Sequence, residues 1–203
     1  MGTITRSFAN LITASGPSAV ADGTIVNADI NASAAIASTK LSGSFGITEA
    51  DQWRLTTGFT VSGGSEVDIT TNLERVDTAG QGILGTGMTQ SSGIFTFPST
   101  GIWLVKFALT ASQAGDNRYV FAKIYATINN STYSIITATG AFMQTTSGSD
   151  GYSYRANESL IDVTSTANVK VKFAAQSASS TPDVEGHTDQ NRTYFTFIRL
   201  GDT

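Results

Sequence analysis

Residues 177–192 carry the side chains whose types and spacing come nearest to a chemical site. Asp183, Glu185, His187 and Asp189 alternate there. Oxygen ligands of this kind bind Ca²⁺, but a hydrated polar loop is the simpler interpretation, and no metal or cofactor is expected. His187 is the single histidine and the chain has no cysteine. A serine–histidine mechanism would therefore have one base at most, and a cysteine–histidine mechanism would have no thiol.

Two further acidic residues, Asp116 and Asp150, lie in glycine-containing stretches that are typical of turns. Residues 112–118, 145–151 and 177–192 are predicted loops, and long loops are frequent binding elements. We expect these loops to contact a host-surface glycan or protein. The sequence has no phosphate-binding loop, dinucleotide-binding or zinc signature. A glycan-degrading enzyme with paired carboxylates stays open as an alternative, although we expect no enzymatic activity.

The composition favours an all-β protein with one main domain. Charged residues make up 14% of the 203 residues, well below the roughly 25% of average proteins, and glycine, serine and threonine are abundant, as in strands and turns. The net charge is −4 and the basic residues are dispersed, so nucleic acid is not an expected partner. No apolar run approaches the ~18 residues of a membrane span. Residues 1–13 do not resemble a secretory signal, which indicates synthesis in a cytoplasm.

The strands that must position the loops are clearest in residues 92–111. Two apolar runs, 94–97 and 102–109, are separated by a Pro-Ser-Thr-Gly turn. Side chains alternate along a strand, so the second run has two faces, and both are largely apolar. One face carries Trp103, Val105, Phe107 and Leu109, and the other carries Ile102, Leu104, Lys106 and Ala108.

The closing strand, residues 193–200, is apolar on both faces as well. Phe195 and Phe197 point one way, while Tyr194, Ile198 and Leu200 point the other way. An antiparallel strand usually has one face in the core and one in water, so a second apolar face needs a cover, and a neighbouring subunit is the simplest one. The candidate residues for a subunit interface are Ile102, Leu104, Tyr194, Ile198 and Leu200.

Residues 95–103, Phe-x-Phe-Pro-x-x-Gly-Ile-Trp, followed by an apolar strand, resemble the core motif of two related families. These are the complement-type globular heads and the tumour-necrosis-factor-like jelly rolls. Residues 154–163, 167–173 and 193–200 are similar to later strands of the same families, and the resemblance covers about residues 66–201. It implies a two-sheet jelly-roll sandwich of about ten strands that forms a homotrimer.

Residues 1–47 differ in character from the rest and are expected to form an extended N-terminal anchor or stalk. Their larger aliphatic residues, Ile25, Ile30, Ile36 and Leu41, recur at five- or six-residue intervals, which suits neither a helix nor a strand. Such a segment is expected to be disordered, to wrap on partner chains of a trimer or to lie against another protein. Residues 23–41 resemble a segment recurrent in fibre and appendage proteins of tailed bacteriophages. The resemblance implies an N-terminal attachment to another virion protein.

Residues 48–58 are predicted to form a short linker helix, and residues 59–203 a jelly-roll head. Thr48 is a suitable N-cap, acidic residues follow it, and Gly58 lies beyond the end of the predicted helix. The expected function is that of a non-enzymatic trimeric fibre on the virion surface that binds the host. A capsid-attached head fibre or decoration protein is an alternative. A secreted complement-like or cytokine-like binding head is a more distant one.

Overall fold

The structure is a computed structural model in which residues 46–144 and 149–203 are described. Their strands belong to the compact unit Ser44–Thr203. These residues contain no helix, and therefore none that could cross a membrane. The strands are β1 (Ala50–Leu55), β2 (Phe59–Thr60), β3 (Glu66–Asp68), β4 (Leu73–Arg75), β5 (Thr89–Ser91), β6 (Ile94–Thr96), β7 (Gly101–Gln113), β8 (Asn117–Thr127), β9 (Ser134–Met143), β10 (Gly151–Val163), β11 (Lys170–Ser177), β12 (Asp183–Val184) and β13 (Tyr194–Gly201).

The strands form two antiparallel sheets that pack as a sandwich. The seven-stranded sheet has the order β2-β12-β7-β13-β1-β4, and β10 pairs with the remaining edge of β7. The six-stranded sheet has the order β5-β6-β11-β8-β9, and β3 also pairs with β11. The predicted all-β sandwich is confirmed. The described residues contain thirteen strands instead of about ten because short strands such as β2, β3 and β12 extend the sheets.

Aromatic rings fill the space between the sheets. Phe107 of β7 and Phe195 of β13 stack with their ring centroids 5.1 Å apart. Phe173 of β11 reaches across the sandwich to within 4.4 Å of the Phe195 ring, and Trp103 is buried beside them in the same core. Burial of one such side chain is worth about 1.5–3 kcal/mol, and an aromatic contact adds about 0.5–1.5 kcal/mol. These rings therefore hold the two sheets together.

The predicted alternation of faces is confirmed in both doubly apolar strands. In β7, the face that contains Trp103 and Phe107 is buried, and in β13 the face that contains Phe195 and Phe197 is buried. These two strands are hydrogen-bonded neighbours in the seven-stranded sheet. The second apolar face of each strand therefore lies on the outer side of the same sheet.

The tight turn between β5 and β6 depends on a glycine. Ser92 and Gly93 both have positive φ, 49° and 78°, as in the two-residue hairpin turn of type I′. A Cβ on Gly93 would lie 2.1 Å from the carbonyl oxygen of Ile69. Only glycine fits there without displacing the backbone, because it alone lacks the Cβ.

The linker helix predicted over residues 48–58 is wrong. Ala50–Leu55 form β1, which pairs with β13 on one side and β4 on the other. Trp53 lies opposite Phe195, and Leu55 is buried in the core. Helix propensities differ by less than about 1 kcal/mol per residue, so sheet pairing and burial outweigh the capping signals of this segment.

Residues 177–192 also differ from the expected unstructured loop. Asp183–Val184 form β12, which pairs with β2 and with the end of β7. Val184 is buried in the core. The middle of this segment is therefore hydrogen-bonded to the seven-stranded sheet, and polar side chains lie before and after β12.

The predicted N-terminal stalk lies outside the described residues. This applies to Ile25, Ile30, Ile36 and Leu41. Residues 145–148 of the second predicted loop also lie outside them. The described strands begin at Ala50, soon after the predicted end of the stalk at residue 47.

Candidate subunit interface and distal loops

An aliphatic band crosses the outer face of the seven-stranded sheet. The pairing register places Leu104 of β7 between Leu160 of β10 and Ile198 of β13. Ile198 in turn lies opposite Ala50 of β1, and a further bridge joins Ala50 to Leu84. Residues that pair across antiparallel strands point to the same face. These five side chains therefore form one continuous row, called the aliphatic band below.

The aliphatic band is open to solvent in a single subunit. Leu160 is 62% exposed and Leu84 is 48% exposed, whereas Leu104 and Ile198 are half-buried by their neighbours. Contiguous apolar surface of this kind marks an interaction surface in soluble proteins. Two of the predicted interface residues, Leu104 and Ile198, lie at its centre.

The other three predicted interface residues flank the aliphatic band. Ile102 is half-buried near the start of β7, and Leu200 is 48% exposed within a register shift between Arg199 and Gly201. The hydroxyl of Tyr194 lies 3.4 Å from that of Tyr154 in β10. Burial and this hydrogen bond raise the pKa of Tyr154 to about 12, so its hydroxyl is neutral at physiological pH.

A polar row separates the aliphatic band from the tyrosine pair. Glu158, Lys106, Thr196 and Gln52 follow one another across β10, β7, β13 and β1. Gln52 Nε2 donates a hydrogen bond of 2.8 Å to Thr196 Oγ1, and Glu158 faces Lys106 across the strand pair. The outer face can therefore supply hydrogen bonds and charge as well as apolar area, as protein interfaces commonly do.

A cleft adjoins the aliphatic band where the chain between β4 and β5 passes β1. Its volume is about 440 Å³, and its lining includes Val76, Ile83, Leu84 and Ile198. Ile83 is 42% exposed. The cleft is large enough for a side chain from a second copy, so the band has a concave end.

Buried ionic groups that the sequence did not reveal hold this region in place. Arg54 is 1% exposed, and its guanidinium donates hydrogen bonds of 2.7 Å to Glu74 and 2.8 Å to Asp77. No local pattern marks Arg54 as buried, because its partners Glu74 and Asp77 are 20 and 23 residues away along the chain. Its strand position places it on the outer face under the segment that follows β4.

Asp51 is a second buried ionic group. Its carboxylate accepts hydrogen bonds from Trp53 Nε1 at 2.9 Å, from Arg75 Nε at 3.0 Å and from the Met88 amide at 2.7 Å. Asp51 is 3% exposed. A buried carboxylate needs such partners because its desolvation is costly. Asp51 therefore joins β1 to β4 and to the chain before β5.

The outer face of the six-stranded sheet carries ion pairs along β3, β8 and β11, whereas its edge strand β9 exposes Ile135 and Phe142. Lys123 Nζ lies 2.5 Å from Glu66, and the Tyr125 hydroxyl donates to the same carboxylate. Lys172 forms an ion pair of 2.6 Å with Asp68. Burial raises the pKa of Glu66, but the hydrogen bonds from Lys123 and Tyr125 outweigh it and leave that pKa below its ordinary value. The ion pairs keep the middle of this face polar, whereas β7 and β13, in the middle of the seven-stranded sheet, are apolar on their outer side.

The described parts of the three predicted contact loops lie at one end of the sandwich. The first loop joins β7 to β8, and Gly151 of β10 lies opposite Gln113 at the end of β7. The third loop is tied to the first because Asn117 Nδ2 donates a hydrogen bond of 2.9 Å to Ser177 Oγ. Strands of both sheets therefore present the loops to the same side of the molecule.

The acidic side chains of the third loop have separate partners. Asp183 accepts a hydrogen bond of 2.5 Å from the Thr60 hydroxyl. Glu185 accepts hydrogen bonds from the Ser112 hydroxyl and, at 2.8 Å, from Arg192. Within residues 46–144 and 149–203, no three His, Cys, Asp or Glu side chains are grouped closely enough to hold a metal ion.

The remaining predicted loop residues lie at the surface. His187 Nδ1 accepts a hydrogen bond of 2.9 Å from the Asp189 amide, and the His187 amide donates to the Leu55 carbonyl. Asp189, Asp116 and Asp150 are exposed. The loops thus offer polar and acidic groups for surface contact, and His187 is hydrogen-bonded to backbone groups.

Comparison with solved structures identifies the fold. Murine APRIL at pH 8.0 matches with a TM-score of 0.53 and 8% identity over 75% of this chain and 98% of that chain. Eiger TNF from S. frugiperda matches with a TM-score of 0.54 and 12% identity over 78% and 95% of the two chains. The sandwich is a TNF-like jelly roll. The resemblance of residues 95–103 to TNF-like jelly rolls is therefore confirmed for the fold, whereas no protein-family model and no curated protein matches the chain.

Proposed function

We propose that this chain is a non-enzymatic structural protein of a tailed-bacteriophage virion. It forms a homotrimeric fibre that is anchored by its N-terminal segment and presents the TNF-like jelly roll as a host-binding head. The aliphatic band of Leu104, Leu160 and Ile198 is the observation that carries the proposal. The buried core lies between the two sheets, so this second apolar surface is outside the core of one subunit.

Self-association through the seven-stranded sheet is the first step of the argument. This sheet has apolar residues outside, a cleft at one end of the aliphatic band and a polar row beside it. The six-stranded sheet has ion pairs outside. A homotrimer is the assembly that the resemblance to TNF-like jelly rolls implies, and it would cover the aliphatic band in each of its three subunits.

Attachment to a virion is the second step. It rests on residues 23–41, which resemble a segment of phage fibre and appendage proteins. Three such segments in one trimer would enter the same stalk, because the subunits share a threefold axis. The partner of the stalk is another virion protein, and the head projects away from it.

Host binding by the loop end of the head is the third step. The described parts of the three loops lie there and carry Asp116, Asp150 and Asp189 at the surface. A trimer repeats each loop three times, so weak contacts with a host glycan or protein gain avidity. No cofactor and no membrane insertion is required.

Two alternatives have the same jelly-roll head but place it elsewhere than on a tail fibre. A capsid-attached head fibre or decoration protein would use the same trimer on a different part of the particle. A secreted complement-like or cytokine-like head is the more distant alternative, and the shared fold with APRIL and Eiger TNF is the observation that favours it.

Gold labelling of intact particles with an antibody against the head tests the proposal. Label on the tail supports a tail fibre, and label on the capsid supports the head-fibre alternative. Purified head is then added to host cells before the particles, and reduced adsorption is expected if the head binds the receptor. Particles without label, together with protein free in the medium, would contradict the virion proposal and favour the secreted head.

A further inference from the structure

Arg155 of β10 is a buried cation on the inner face of the seven-stranded sheet. It is 3% exposed. Its cross-strand neighbour is Leu109, and the next inward residue of the same strand, Asn157, lies opposite Phe107. The guanidinium is therefore inside the sandwich, next to the aromatic and aliphatic core.

The hydrogen-bonding groups of Arg155 are mostly unused. Nη2 donates a hydrogen bond of 3.1 Å to the Ser153 carbonyl, whereas Nε and Nη1 have no partner although both are buried. Buried donors without an acceptor are rare in folded proteins. These N–H groups therefore point to an acceptor that residues 46–144 and 149–203 do not provide.

The charge of Arg155 is also uncompensated. Across the residues that the structure describes, no Asp or Glu forms an ion pair with it, although six other basic residues have such partners. Burial lowers the pKa of Arg155 to about 10, which still leaves it charged at neutral pH. An unpaired buried charge is strongly destabilising, so the missing acceptor has to carry negative charge.

The surroundings of the guanidinium limit the size of that acceptor. Asn157 Nδ2 donates a hydrogen bond of 2.7 Å to the Ala122 carbonyl of the facing sheet, which ties β10 to β8 beside Arg155. The Ser153 hydroxyl donates to the Phe142 carbonyl of β9. These polar contacts link β10 to the facing sheet beside Arg155, and because Arg155 is 3% exposed, a large ligand cannot reach its guanidinium.

We propose that the buried guanidinium of Arg155 binds a small inorganic anion of the size and charge of chloride between the two sheets. Nε and Nη1 donate to the anion, and the anion neutralises the guanidinium. A water molecule would satisfy the N–H groups but would leave the charge uncompensated. The anion is thus a structural part of the head, independent of how the head is attached to a particle.

Thermal unfolding of the full chain tests this site. Sodium chloride is exchanged for sodium gluconate at constant ionic strength, because gluconate is too large for the site. The midpoint temperature of unfolding is expected to be about 2–4 °C higher in chloride than in gluconate when the chloride concentration exceeds the dissociation constant of the site several-fold. Arg155→Met should lose this rise. Arg118→Met, which removes an exposed arginine of β8, should keep it.

A crystal of the unmodified protein soaked in sodium bromide gives the second measurement, which needs no variant to fold. An anomalous peak in contact with Nε or Nη1 of Arg155, together with the chloride-dependent midpoint, supports the proposal. A peak without a chloride effect on stability would indicate an adventitious ion only and would overturn it. An ordered water molecule in the site, or equal chloride responses of the unmodified protein and Arg155→Met, would also overturn it.

Discussion

Leu160→Glu is the substitution that probes the aliphatic band most selectively. Leu160 is 62% exposed in the single subunit and lies on the edge strand β10, so a glutamate there has room and water when the subunit is alone. In an assembly that covers the band, the same glutamate would be a buried charge without a partner. We therefore expect the subunit to fold and the assembly to fail.

The magnitude follows from the exposed area that association would cover. Full burial of a leucine side chain is worth about 1.5–3 kcal/mol, so covering the 62% that is exposed contributes about 1–2 kcal/mol per subunit. Three subunits give about 3–6 kcal/mol per trimer. At ~1.4 kcal/mol per factor of ten, trimer dissociation should become easier by about 10² to 10⁴-fold, and desolvation of the glutamate adds to this.

Sedimentation equilibrium over a range of protein concentrations measures this change, and circular dichroism checks that the subunit is folded. Ile135→Glu is the matched control, because Ile135 is 50% exposed in β9 of the other sheet. The control should associate like the unmodified protein. Equal association constants for Leu160→Glu and the unmodified protein would refute the role of the aliphatic band.

Three further predictions concern stability. Both Gly93 and Gly64 have positive φ, but only at Gly93 would an added Cβ meet backbone atoms. In urea unfolding, Gly93→Ala should therefore lower the free energy of unfolding by over ~1 kcal/mol more than Gly64→Ala does. Equal losses for the two variants would contradict this. Asp51→Ala should cost about 3–5 kcal/mol, whereas Asp202→Ala, at a 92% exposed side chain, should cost less than ~1 kcal/mol. The pKa of Glu66 is lower in the folded protein than in the unfolded chain, so its ionised carboxylate stabilises the fold at pH above the unfolded-state pKa. This stabilisation is lost as the pH falls through the folded-state pKa. Glu66→Gln should therefore reduce the fall in the free energy of unfolding at acidic pH. An unchanged pH dependence would disprove this role of Glu66.

The strands that the sequence predicted are those whose pattern is set locally. In β7 and β13, large apolar residues alternate over a full strand, so Trp103 and Phe195 mark the core face without any knowledge of the partner strands. The same alternation on the second face predicted where Leu104 and Ile198 would lie. It did not reveal Leu160 or Leu84 as their neighbours, because that depends on register between distant strands.

The errors lie where long-range contacts decide the structure. The segment of β1 has acidic residues and an arginine at spacings that suit a helix, but Asp51 and Arg54 are partners of Arg75 and Glu74 in the folded sheet. Residues 177–192 look like a loop until β2 supplies a strand for Asp183–Val184. Arg155 had no local signal either, since polar residues occupy both faces of that part of β10.

The mass of the full chain in solution is the most direct test of the central claim that the outer face of the seven-stranded sheet is a subunit interface. Light scattering at micromolar concentration should give three times the 21.2 kDa of one chain. A mass of one chain would contradict the trimer and with it the fibre proposal.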